Sequence, residues 1–440
     1  MKSVIFCLTT IFLLANSSYG QTWYLNPLAN FGGGGRAGAV GFSITHTCGG
    51  ITNQYGFAGT GSDGVNLYKD FWRYNAFVPG ANTWTQMASL PAAAAARSSA
   101  VGFSLNGRGY ICTGGFPLLK DMWVYDPCTN TWFAGTSMPA AAVPRYTAVA
   151  FVINNKAYVG SGFNNNTSLL KDFWEFDPVP NTWHQVTTPP ATFVVRQSAS
   201  AFSLFINNIT YGYVACGATN PVNSTNYLND LWRYQQGSPT WAGGWVHMAS
   251  MPPQAGLRYG ASGLSIMNLR GFVGLGSSGT NYLGDWWEYN GATNVWTQRP
   301  NYPGSAGASA IALDIKGGAY VGTGFGGTYY TDWYEYSPCP GCAREEETNQ
   351  NNPLVQEYNI FPNPCAEYFN LATQIKPGRN EVPVIISIFN IRGEKVKTVL
   401  LKNISQQIIN VKELINGLYL LEIENNAGTI ISRNKLLIQK

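Results

Sequence analysis

The feature that most constrains this chain is a short aromatic block that recurs. Residues 121–132 read DMWVYDPCTNTW: an alternating aromatic strand, a tight turn on Asp126, Pro127 and Asn130, and a second strand opening on Trp132. The first half returns as DFWRY from Asp70, DFWEF from Asp172, DLWRY from Asp230, DWWEY from Asp285 and DWYEY from Asp332. A lone hairpin is marginal in water, and this one carries more ring surface than it can cover itself. Repetition at a period of roughly 50 residues solves the problem, because neighbouring copies share one core.

Each copy has the same internal order. An Arg opens it before a strand of small and apolar residues: Arg36, Arg97, Arg145, Arg196 and Arg258, with Gly307 standing where the sixth Arg would be. A turn follows, as at Asn106-Gly107, Asn154-Asn155 and Asn207-Asn208, residue types that accept positive φ. A second strand ends in Gly (Gly115, Gly162, Gly217, Gly276, Gly324), and then come the Asp-x-aromatic strand and a strand carrying Trp. Trp84, Trp132, Trp183, Trp296 and one of Trp241 or Trp245 end five units. The sixth stops at Tyr336 without its Trp, while a spare Thr22-Trp23-Tyr24 stands at the front of the chain. A closed ring uses that offset: the N-terminal strand completes the last sheet and leaves no open seam. The expectation is six four-stranded sheets around an axis.

In sequence, Arg97, Gly114-Gly115, Tyr125-Asp126, Asn130-Thr131-Trp132 and Met138-Pro139 resemble the kelch repeat. The match is looser in the unit from Arg196, which has a long loop at 218–229 and lacks Asn-Thr-Trp. The resemblance implies an all-β, six-bladed kelch-type β-propeller over residues 21–342, of galactose oxidase-like architecture.

Two further segments flank the repeats. Residues 1–20 read as an export signal, with Lys2, an apolar stretch from Val4 to Ala15, and small residues before Gln21. The stretch is shorter than the roughly 20 residues a membrane-spanning helix needs. Residues 343–357 (AREEETNQNNPLVQE) are polar and without hydrophobic period, as in a linker. From residue 358 aromatics thin out, and apolar runs at 384–390, 417–423 and 435–439 predict a small β-sandwich-like domain. Its IFPNP (360–364), FNIRG (389–393), LINGLY (414–419) and closing KLLI (435–438) resemble the type A C-terminal sorting domain of the bacterial type IX secretion system. That resemblance implies a partner, the type IX machinery, acting through residues 358–440. The product would be secreted or held on the outer cell surface, with no membrane span once mature.

Composition narrows the function classes. Only 11% of residues are charged, against about 25% in an average soluble domain, and the net charge is +4. No run of Lys or Arg offers a nucleic-acid footprint. The three His (His46, His184, His247) lie in different parts of the repeat with no ligand spacing, so no metal or cofactor is expected. In particular, the copper site of kelch-type galactose oxidases cannot be assembled. No Gly-x-Ser-x-Gly, phosphate loop or His-Glu-x-x-His occurs.

Candidate site residues come from two places. A residue present once per unit serves the unit, so the repeated Asp and Arg read first as buried ion pairs. Arg97, Arg145, Arg196 and Arg258 would grip an anion only if they converged at the channel mouth. The loops between the Gly strand and the Asp strand (62–69, 116–120, 163–171, 218–229, 277–284, 325–331) differ in every unit, and variable loops on a rigid ring are where binding usually resides. Their Asn164, Asn166, Asn220, Tyr227, Tyr282, Tyr329 and Tyr330 combine amides and aromatic rings, groups that recognise sugars or peptides. Asn is equally a turn residue. Among the cysteines, Cys112 and Cys216 read as buried apolar fillers, and Cys339 and Cys342 as a short-loop disulfide in an oxidising compartment. The resulting expectation is a monomeric binding or adhesion module for a glycan or protein. A carbohydrate-processing epimerase, lyase or hydrolase and a structural surface component are the alternatives.

Overall fold

The computed structural model describes residues 22–24, 30–76, 83–164, 168–219, 226–237, 243–337, 358–361, 365–373, 384–390, 394–401, 407–425 and 430–440. Apart from one short 3-10 turn at Pro253–Ala255, every regular element among them is a β-strand.

Up to Ser337 the strands pair into six four-stranded antiparallel sheets. The first runs Val40–Cys48, Ile51–Gly59, Phe71–Asn75 and Thr83–Met87; the second Val101–Leu105, Arg108–Cys112, Met122–Asp126 and Thr131–Ala134. Each next copy of the repeat builds the next sheet in the same order. The innermost strand of every sheet neighbours the innermost strands on either side, and the sixth neighbours the first, so the row closes into a ring. Close approach at this junction requires glycine: a Cβ on Gly41 would lie 2.2 Å from Cγ2 of Ile311.

Closure is made as the offset of the Trp strands predicts. Thr22 pairs with Ser337 and Trp23 with Tyr336, which places the N-terminal strand outermost in the sheet of Ile311–Ile315, Gly318–Gly322 and Trp333–Ser337. Trp23 is seated as the repeat dictates. Its Nε1 donates to the Pro300 carbonyl at 2.8 Å, as Trp132 does to Ala88, Trp183 to Thr136 and Trp296 to Ala249. Of the two candidates in the fourth unit, Trp245 carries the strand, Gly244–Met248; Trp241 falls outside the described residues.

The aromatic block finds its cover between sheets. Phe71 of the first sheet is fully buried against Tyr125 and Trp132 of the second, ring centroids 4.9 Å from each. The same stacking recurs around the ring, so each interface is a separate aromatic core. A covalent link reinforces one interface: Cys48, at the tip of the first sheet's inner hairpin, forms a disulfide with Cys128 in the outer turn of the second. The sequence reading left both unpaired. Cys112 and Cys216 are buried free thiols, while Cys339 and Cys342 lie outside the described residues.

The C-terminal region has its own core. A three-stranded sheet (Tyr358–Phe361, Tyr368–Thr373, Gln407–Asn410) and a four-stranded sheet (Lys395–Leu401, Val384–Phe389, Gly417–Asn425, Ile430–Ile438) enclose Phe369, Leu371, Ile386, Ile388, Leu421, Ile423 and Leu436.

Candidate functional site: the loop face of the ring

A strand that starts at the repeated Arg runs down the axis and returns to end at the repeated Gly. The loops after Gly and the connections between sheets therefore share one face. Its scaffold is a clamp built once per unit. Arg97 is fully buried and holds Asp121 through two parallel bonds, Nη1 to Oδ1 at 2.7 Å and Nη2 to Oδ2 at 2.8 Å. Nη1 also donates to the carbonyl of Thr113, and Nε1 of Trp123 donates to the same carboxylate. Arg36–Asp70, Arg145–Asp172, Arg196–Asp230 and Arg258–Asp285 repeat the arrangement.

The clamp has a local purpose. Thr60, Thr113, Ser161, Cys216 and Leu275, the residues just before the repeated Gly, are left-handed at φ 55–64°, a conformation that side chains beyond Gly adopt at a cost. Each hands its carbonyl to the clamp's guanidinium. The arginine thus caps the turn from which the variable loop departs, although Thr323 of the sixth unit holds the same conformation, at φ 62°, without one. As anion grips, Arg97, Arg145, Arg196 and Arg258 leave the candidate set: their side chains are 0% exposed and their donor forks are occupied by the protein.

The sixth unit departs from the rule. Gly307 supplies no guanidinium, and Asp332 instead accepts from the Ser305 amide at 2.9 Å and has the Tyr302 hydroxyl for a neighbour. Burial pushes its carboxyl up from the ordinary range, and these two donors offset that only in part. Asp172 shows the opposite balance. Burial again raises it, but the Arg145 guanidinium and the Trp174 indole outweigh burial and hold the carboxyl below its usual value.

Above this scaffold the mouth is rimmed by rings. Tyr227 stacks on Tyr259 at 4.9 Å; Tyr282 meets the edge of Phe325 at 6.0 Å, and Phe325 packs on Tyr329 at 4.8 Å. On the far side Phe116 and Phe163 flank Tyr146 at 5.4 and 5.6 Å. Phe116 is 55% and Tyr282 38% exposed, large values for rings of this size. Tyr330 turns its hydroxyl back to the Gly326 carbonyl and covers Gly307. Asn164 exchanges bonds with Ser168 in its own loop. Asn166 and Asn220 lie outside the described residues. Of the rings in this region the sequence reading names Tyr227, Tyr282 and Tyr329 and passes over Phe116, Tyr146, Phe163, Tyr259 and Phe325. Their signal was positional: each directly follows a repeated Arg or Gly.

Inside the ring, the axial channel below this face offers about 180 Å³ lined by residues such as Ala39, Gly41, Ala100, Gly102, Ala148 and Ala150. Its lining contains no titratable side chain.

Comparison with known families agrees with this architecture. Residues 55–263 match the KLHDC2/KLHL20/DRC7 Kelch-repeats domain, and residues 359–439 match the Secretion system C-terminal sorting domain. The chain carries a kelch-repeat domain and a type IX sorting domain. A solved structure titled "Structure of YjhT" shares the fold, at a TM-score of 0.55 and 16% identity over 70% of this chain and 95% of the other. No curated protein matches. The sorting tail marks this kelch protein for export through the type IX system to the cell surface or beyond. Among the described residues no helix is long and apolar enough to cross a membrane.

Proposed function

We propose that this kelch protein is an exported binding module whose loop face recognises a glycan or protein outside the cell. On this reading residues 1–20 are the export signal, 21–342 the six-bladed propeller, 343–357 a linker and 358–440 the part handled by the type IX machinery. The observation that carries it is the set of exposed rings, Phe116 and Tyr282 foremost, held on loops whose roots are immobilised by buried Arg–Asp clamps. A rigid ring with a partly apolar mouth is organised for recognition. An enzymatic reading would gain from an unpaired carboxylate meeting an arginine at that mouth. Asp332 is the carboxylate without a guanidinium, but all five clamp arginines are committed elsewhere. The test is to screen the purified chain on glycan and protein arrays and follow every hit for chemical conversion. Retention without conversion is the expected result; product formation contradicts the module reading.

A further inference from the structure

The loop face is electrically quiet, and the reason is visible charge by charge. Loops 218–229, 277–284 and 325–331 contain no charged residue, and the connections 249–258 and 300–307 contain only the buried Arg258. In the adjoining loop of the first unit Asp63 is saturated from within. Its carboxylate accepts from the amides of Val65 and Asn66, from Nδ2 of Asn66 and from the Tyr68 hydroxyl. Lys69 is turned back onto the carbonyls of Pro91 and Ala92, and Lys120 onto those of Pro139, Ala140 and Ala142. The remaining charges are Lys171, in the third unit, and the part-buried Asp332, in the sixth.

The arc formed by units four to six carries the rings Tyr259, Tyr282, Phe325 and Tyr329, with Tyr227 buried against Tyr259, and Asn281 and Thr280 exposed beside Tyr282. Its described backbone is already bridged at several points, Tyr259 to Ser277, Ser277 to Tyr282, Ala308 to Phe325 and Phe325 to Tyr329, which disfavours a peptide adding as a strand. What remains is ring faces with amides and hydroxyls around them; the nearest carboxylate, Asp332, is part-buried and accepts from the Ser305 amide. We infer that the arc Tyr259–Tyr282–Tyr329 binds an uncharged glycan, recognised by stacking and neutral hydrogen bonds. This rests on the binding reading above and adds the ligand's class.

The experiment uses the full chain on an array holding neutral, uronate-bearing and sulfated oligosaccharides, read at low and at high salt. Neutral oligosaccharides are expected to be retained equally at both, since screening acts only on charges. Tyr282→Ala should weaken retention about tenfold, the loss of one ring contact, with an unchanged melting temperature; Lys171→Ala should leave retention alone. Retention of acidic glycans only, or binding that falls with salt, overturns the inference and leaves the binding module standing. Silence towards every glycan also overturns it, while the module reading is then decided by the protein array. A neutral hit that survives Tyr282→Ala moves binding off this arc and overturns the assignment. Conversion of a neutral hit sinks the module reading but not the ligand class.

Discussion

Asp172 and Asp332 occupy the same position in the repeat and differ in one partner, which makes them a matched pair. Removing one member of a buried ion pair leaves the other uncompensated, so Asp172→Asn, which strands Arg145, should cost roughly 3–5 kcal/mol in urea unfolding at neutral pH. Asp332→Asn removes a buried charge that has no cation, and is expected to be neutral or stabilising. The pH dependence separates them in sign. Asp172 is depressed in the folded protein, so its contribution is complete above the unfolded carboxylate value of about 3.9 and is lost as pH falls through the folded value. Asp332 is raised, so the folded state holds its proton more tightly and gains stability as pH drops from its raised folded value towards the unfolded one. Urea midpoints of both variants measured from pH 7 to pH 2 check this. A loss with Asp332→Asn as large as with Asp172→Asn would remove the distinction. The sequence showed the pairing, because one Arg and one Asp per unit have no other economical role, and it showed the gap at Gly307. Tyr302 filling that gap was not legible, since it enters from a connection two residues shorter than those before Arg97 and Arg145, where the register is lost.

Between elements, the interface of the first and second sheets is the one with a covalent tie. The Cys48–Cys128 bond joins residues 80 apart in sequence and so restricts a long loop of the unfolded chain. Cys48→Ser or mild reduction should lower stability by roughly 2–4 kcal/mol, read as a drop in melting temperature, without changing the β signal in circular dichroism. An unchanged midpoint on reduction contradicts this. Such a bond accords with an exported chain, since it persists only in oxidising surroundings. Spacing alone could not reveal it. Both cysteines sit in turns of different units, and only the stacking of one sheet on the next brings the inner turn of one to the outer turn of the other. The strands themselves were legible because aromatic alternation and turns bearing Asn or Gly mark them locally. Tyr146, Tyr259, Phe163 and Phe325 were not, because a Tyr after Arg or a Phe after Gly looks no different from core until the face it points to is known.

At the scale of the whole molecule, the account depends on the ring being closed by its own N-terminus. Trp23 is buried among Trp286, Tyr302 and Tyr336, with ring centroids 5.1–5.4 Å away, so Trp23→Ala should cost roughly 3–5 kcal/mol and loosen the sixth sheet before the others. This closure was legible because a strand counted missing at one end was found spare at the other. The sorting domain was legible from motifs, whereas the ligand face was visible only in outline, as variable loops without a charge map. The most direct measurement is hydrogen exchange across the six Asp-x-aromatic strands, comparing a chain that starts at Gln21 with one that starts at Asn30. In the longer chain the amides of Trp333–Ser337 should be as protected as those of Trp286–Asn290, and in the shorter chain that protection should fall in the sixth sheet first. Equal exchange of Trp333–Ser337 in both chains would contradict a ring stitched shut by residues 22–24.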